Sequence, residues 1–122
     1  MSCILLVDDH AEFLAVQKEI LEDAGHTVVT ASDGHRALVA VKAGGIDLVI
    51  TDIIMPRKEG IETIVELRTN YPLLKVIAMS GGGRVGALSY LEVAEKLGAL
   101  HTLEKPFNAA TLLAAVKMVL SA

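Results

Sequence analysis

Leu48-Val49-Ile50-Thr51-Asp52-Ile53-Ile54-Met55-Pro56 is the stretch on which the reading of this chain turns. Its apolar, β-branched run has the length and composition of a buried strand, and it ends at a carboxylate shortly before a proline that stops extended structure. Asp52 therefore stands at the carboxyl end of a strand. In an open α/β sheet that edge is where ligands bind. Taken alone, the same residue could do no more than cap a turn. The residues around it decide between the two.

Working outward, Ile4 to Val7 is a first strand ending at Asp8 and Asp9. From Ala11 the period becomes helical, with Phe13, Val16, Gln17, Ile20 and Ala24 in phase and Gly25 as the C-terminal cap. Thr27 to Ala31 is a second strand, and Ser32 or Asp33 caps a helix carrying Ala37, Leu38 and Val41 that ends at Gly44-Gly45. Beyond Pro56 and Gly60, a helix with Ile61, Ile64, Val65 and Leu67 leads to Tyr71-Pro72. Lys75 to Met79 is a fourth strand, closed by Ser80 before Gly81-Gly82-Gly83. A helix through Leu88, Leu91, Ala94 and Leu97 stops at Gly98. Leu100 to Leu103 is a fifth strand with Lys105-Pro106 just past it, and Asn108 caps a last helix reaching Leu120.

Strand and helix alternate five times. Short helical crossovers between apolar strands predict an α/β fold: a doubly wound, five-stranded parallel sheet with helices on both faces, in one domain over residues 1–122. Polar residues follow the first, third, fourth and fifth strands but not the second. That pattern is expected when the first and third strands are neighbours and the second lies outside them, as in the order 2-1-3-4-5.

Composition narrows the function. Apolar residues make up 52% of the 122, yet aromatics only 3%, so no aromatic platform for stacking bases is on offer. The net charge of -4 and eleven scattered basic residues argue against a nucleic-acid surface. Cys3 has no cysteine partner, which suits a reducing compartment. The opening Met-Ser-Cys-Ile-Leu-Leu-Val-Asp-Asp reads as a strand rather than a signal peptide, and no stretch approaches bilayer length. A soluble, cytoplasmic domain without membrane contact is the expectation.

If the strands are parallel, Asp8, Asp9, Asp52, Ser80 and Lys105 share one rim. Clustered carboxylates repel: two unit charges about 4 Å apart at an effective dielectric near 20 cost roughly 4 kcal/mol. Hard oxygen donors with no imidazole or thiolate among them point to Mg2+, which accepts a few carboxylates and keeps several waters. With Lys105 as a fixed positive charge and Ser80 as a hydroxyl donor, the rim is equipped for phosphoryl transfer, and Asp52 is the candidate nucleophile. Asp8-Asp9 read alone could be a helix-start signal. Gly81-Gly82-Gly83 lacks the Lys-Ser or Lys-Thr of a nucleotide loop. The histidines His10, His26, His35 and His101 show no ligand spacing and are expected at solvated or turn positions.

Over its whole length the chain resembles the receiver domains of two-component response regulators. The motifs that carry the likeness are Asp8-Asp9, the block from Asp52 through Met55-Pro56 to Gly60, Ser80, and Lys105-Pro106-Phe107. The resemblance implies a flavodoxin-like fold with Asp52 as phosphoacceptor, charged from a histidine kinase or a histidine phosphotransfer protein. It implies Mg2+ bound by Asp9, Asp52 and the backbone carbonyl of Ile54, with Asp8 helping through water, and phosphoryl oxygens held by Ser80 and Lys105. It also implies a cis Lys105-Pro106 bond. No enzyme acting on a separate substrate is expected, only Mg2+-dependent self-phosphorylation and dephosphorylation.

Three departures stand out. Thr102 occupies the place where the family carries a switching aromatic, and neighbouring His101 points to the opposite face of the strand. Ile54 and Gly82 occupy the places that flank an attacking water, so dephosphorylation is expected to rest on the metal and on partner phosphatases; an unchanged phosphate lifetime in Ile54→Asn would count against this. The last helix, with Lys117 as its single charge, and Tyr90 and Val93 off the buried stripe of the fourth helix, suggest a docking surface for a downstream protein on the fourth helix, fifth strand and fifth helix, or a homodimer contact there. The expectation is a stand-alone receiver. The alternatives are a receiver cut from a longer, DNA-binding regulator, an aspartyl-phosphate phosphatase (which wants a second acid where Ile54 stands), a flavin carrier, and a receiver that no longer uses phosphate.

Overall fold

The computed structural model describes residues 2–53, 60–81, 84–85 and 88–121. Five strands form one sheet: β1 (Cys3–Val7), β2 (Thr27–Ala31), β3 (Leu48–Asp52), β4 (Lys75–Ser80) and β7 (His101–Glu104). They are all parallel and lie in the order β2-β1-β3-β4-β7, the order expected for the five main strands. The helices are α1 (Ala11–Asp23), α2 (Gly34–Ala43), α3 (Gly60–Asn70), α4 (Tyr90–Lys96) and α5 (Ala109–Leu120).

The two-residue period of the strands sorts the core into two layers. Ile4, Leu6, Leu48, Ile50, Ile77, Met79 and Leu103 pack with Leu14 and Leu21 of α1 and with Leu112, Ala115, Val116 and Val119 of α5. Their neighbours Leu5, Val7, Val49, Val76 and Ala78 pack with α2, α3 and α4 through Ala37, Val41, Ile64, Leu67 and Ala94. Because both faces are covered, the inner strands read as continuous apolar runs rather than alternating ones. Each large apolar side chain removed from water contributes roughly 1.5–3 kcal/mol.

Asp33, rather than Ser32, caps α2 by accepting a hydrogen bond from the Arg36 backbone N–H at 2.8 Å. Asn108 caps α5 in the same way through Thr111. Gly25 adopts φ 98° just past α1, the left-handed turn that ends a helix and that glycine takes without strain. The Lys105-Pro106 peptide is cis.

The fourth crossover differs from expectation. Arg84–Val85 (β5) and Leu88–Ser89 (β6) pair as a small antiparallel ribbon, so Leu88 lies in a strand and α4 begins only at Tyr90. The glycines at 81–83 and 86 have low helix propensity and Val85 is β-branched, in keeping with extended pairing of the two described segments. The fifth strand is displaced by one residue and starts at His101; Leu100 is exposed. Val16 and Val65, placed on buried stripes by spacing, face solvent at 54% and 43%, because the strands beneath select Leu14, Gln17 and Leu21 on α1 and Ile64 and Leu67 on α3. On α5, Ala115 is buried and Ala109 exposed.

Candidate functional site

Strand register builds the site. Val7 of β1 pairs with Thr51 of β3, so Asp8 and Asp52, one residue on, leave the sheet at the same level. Asp52 continues the side-chain series of Leu48 and Ile50, Asp8 that of Ile4 and Leu6, and Lys105 that of His101 and Leu103. All three therefore project toward the α1/α5 side. Ser80 and Thr102 belong to the alternate series, with Ala78, on the α2/α3/α4 side. The Lys105 backbone N–H donates to the Ser80 carbonyl at 2.8 Å, which ties the β7 exit to the end of β4.

The ammonium of Lys105 sits between two carboxylates from different strands. Its Nζ is 2.5 Å from Asp8 Oδ2 and 2.8 Å from Asp52 Oδ2. It also lies over the ring of Phe13, 4.2 Å from the centroid, and Phe107 meets that ring edge-on at 5.8 Å. Asp8 is fully buried, and an unpaired buried carboxylate would cost several kcal/mol. Burial works to raise its pKa. The hydrogen bonds from Lys105 and from the His10 backbone and ring, with the Lys105 charge, outweigh burial and hold the carboxyl below its ordinary range. Burial likewise works to lower the Lys105 pKa, and the bonds to Asp52 and Asp8 hold it above its usual value.

Asp9 faces solvent at the mouth, and His10 occupies the N-cap position of α1 without a side-chain capping bond. The His10 side chain is solvent-facing, as expected. Its Nδ1 nevertheless stands 3.0 Å from Asp8 Oδ1 and 3.2 Å from Asp9 Oδ1, so the ring belongs to the acidic cluster that its spacing in the sequence did not suggest. The hydrogen bond to Asp8, followed by the charges of Asp9 and Asp8, raises its pKa. The signal that could have found it is its position two residues beyond a strand-end carboxylate, within reach of an Asx-type turn. The contact of Phe13 with Lys105 spans more than ninety residues of chain and had no such signal.

One donor atom from each of Asp8, Asp9, His10 and Asp52 lies within 4.8 Å of the others. Opposite ligands of an octahedral Mg2+ stand about 4.2 Å apart, so small movements of the three carboxylates would close them on such an ion. The donor set therefore fits a hard divalent cation. Ile54, Met55-Pro56 and Gly82 lie outside the described residues, as does the side chain of Tyr90; Val93 is half-buried. A cleft of about 610 Å³ lined by Val41, Gly44, Gly45, Tyr71 and Leu73 opens at the opposite end of the sheet. It lies far from the acidic rim. Among the described residues no helix is long and apolar enough to cross a membrane.

Comparison with known proteins agrees with this arrangement. The chain is 38% identical over 120 residues to the transcriptional regulatory protein CpxR of Escherichia coli, covering 98% of this chain and 50% of that protein. It spans about half the length of the curated relatives it matches. Among solved structures, the chemotaxis response regulator CheY4 of Vibrio cholerae superimposes with a TM-score of 0.87 at 30% identity, with 98% of each chain covered. NtrX of Brucella abortus gives 0.90 at 32% identity, over 99% of this chain and 27% of that one. A family model described as the response regulator receiver domain matches residues 4–117, and with the parallel sheet and its acidic rim in place the chain belongs to the response regulator receiver domain family.

Proposed function

We propose that Asp52 accepts a phosphoryl group from a phosphohistidine of a histidine kinase or phosphotransfer protein, and that the phosphorylated domain passes the signal on by changed protein contact. The observation that carries this reading is the position of Asp52: a 4%-exposed carboxylate whose Oδ2 is held at 2.8 Å by Lys105, beside the acidic pair. Lys105 orients the Asp52 carboxylate and offsets the charge gathering on the transferred oxygens. Asp8 in turn keeps the ammonium in place; Ser80, which ends the adjoining strand in the opposite side-chain series, would reach over the strand end to serve as hydroxyl donor for those oxygens. An Asp52 oxygen attacks phosphorus; the phosphorus–nitrogen bond breaks, and the imidazole nitrogen keeps the electron pair and takes up a proton.

Asp8, Asp9 and Asp52 would hold Mg2+, which supplies charge neutralisation for phosphoryl oxygens when bound. The domain acts on no separate substrate; its chemistry is its own modification. We assign it no nucleic-acid contact of its own, in keeping with its acidic balance.

Two observations bear on how the output is delivered. CheY4, a chemotaxis response regulator matched over 98% of its own length, supports output through changed protein contact at the receiver surface. CpxR, a transcriptional regulatory protein of which this chain matches half the length, supports output in transcriptional control. Incubation with acetyl phosphate and Mg2+ tests the central reading by intact mass. One added phosphoryl group in the wild type and none in Asp52→Asn is expected, and uptake that persists in Asp52→Asn refutes the assignment.

A further inference from the structure

The cluster at the rim contains a donor that an all-oxygen site lacks. Two backbone hydrogen bonds pin His10: its N–H donates to Asp8 Oδ1 at 2.9 Å, and its carbonyl accepts from Leu14 at 3.0 Å. Its Nδ1 is thereby carried to the inner side of the turn, 3.0 Å from Asp8 Oδ1 and 3.2 Å from Asp9 Oδ1, among the same atoms that would meet a cation. The side chain is 70% exposed, so the ring can turn toward an ion without breaking core packing. Imidazole suits the later first-row metals, whereas carboxylates alone suit Mg2+ and Mn2+.

We propose that His10 is a nitrogen ligand which this chain adds to its carboxylate metal site, so that the site takes Ni2+ and its neighbours in the first row more tightly than three carboxylates would. The proposal rests on the reading of Asp8, Asp9 and Asp52 as metal-holding residues. A water would fill the same coordination position for Mg2+, which demands oxygen and keeps its waters. Loss of the ring therefore costs Mg2+ little and costs a nitrogen-preferring ion a ligand.

The test uses the untagged full chain at pH 8. Cu2+, the first-row neighbour of Ni2+, is the spectroscopic probe, and pulsed electron paramagnetic resonance reads nitrogen coupling at the bound ion. The wild type should show it, and both His10→Ala and His10→Gln should lose it. Calorimetric titration should then give a fall in Ni2+ affinity of about tenfold or more in both variants, with Mg2+ affinity changed less than about threefold. Absence of nitrogen coupling in the wild type, failure of Cu2+ to bind, or an equal fall for Ni2+ and Mg2+ overturns the proposal; the last result would make His10 a support for the carboxylates rather than a ligand. The receiver reading fails separately. Phosphoryl uptake on Asp52 without nitrogen coupling leaves that reading standing and removes the His10 ligand, whereas coupling without phosphoryl uptake does the reverse.

Discussion

Replacing Lys105 by methionine removes the ammonium and nearly preserves the stem. In metal-free buffer the buried Asp8 and Asp52 carboxylates are then left facing each other with donor atoms no more than 4.8 Å apart. At an effective dielectric near 20 their repulsion amounts to about 3.5 kcal/mol or more. The molecule can escape by protonating one of them, which at pH 7.5 costs about 5 kcal/mol for a carboxyl of ordinary pKa. These two figures bracket the loss of stability at roughly 3–5 kcal/mol, the range for breaking a buried pair by removing one partner. Mg2+ offers the same carboxylates a substitute cation, so the loss should shrink as Mg2+ is added.

Binding and folding are linked, so each 1.4 kcal/mol recovered corresponds to about tenfold tighter Mg2+ binding by Lys105→Met than by the wild type. Urea unfolding followed by circular dichroism, in chelator and in saturating Mg2+ at matched ionic strength, measures both quantities. Lys105→Arg, which keeps the charge, should lose much less. A penalty below about 1 kcal/mol in chelator, or an equal penalty with and without Mg2+, would refute the view that the lysine and the metal answer the same excess of negative charge.

Two further substitutions probe the fold. Gly98 turns the chain at φ 109°, and a Cβ there would stand 2.7 Å from Arg68 Nε, so Gly98→Ala should lower stability by about 1–2 kcal/mol in chemical denaturation; an unchanged midpoint would mean that the turn re-forms without strain. Gln17 is buried on α1, and its Oε1 has no hydrogen-bond partner among the described residues, so Gln17→Met should stabilise by about 1 kcal/mol. A drop in thermal midpoint would show that the amide is satisfied.

Much of the architecture was legible because local chemistry repeats. Five apolar runs flanked by helical periods define the main strands, and Asp33, Asn108 and Gly25 mark helix ends through bonds made within a few residues. The meeting of the Asp8 and Asp52 carboxylates at one rim was legible because a strand's end is itself a position in the sequence. What sequence could not supply is phase and distance. Spacing permits Val16 or Leu14 on the buried side of α1, and only the sheet beneath chooses Leu14. The glycines after Ser80 mark a break in helix, while the pairing of Arg84–Val85 with Leu88–Ser89 is settled by the ribbon itself.

The amino-acid sequence by itself determined the alternation of strand and helix, the two-faced core and the acids that end β1 and β3, since each follows from side chains acting on their near neighbours. Only the tertiary structure decided that Lys105 stands between Asp8 and Asp52 with Phe13 beneath it, and that His10 turns its nitrogen into the same cluster. The physical reason is that the Lys105 contacts join residues as much as ninety-seven positions apart, and their distances are set by the register of parallel strands closing one rim.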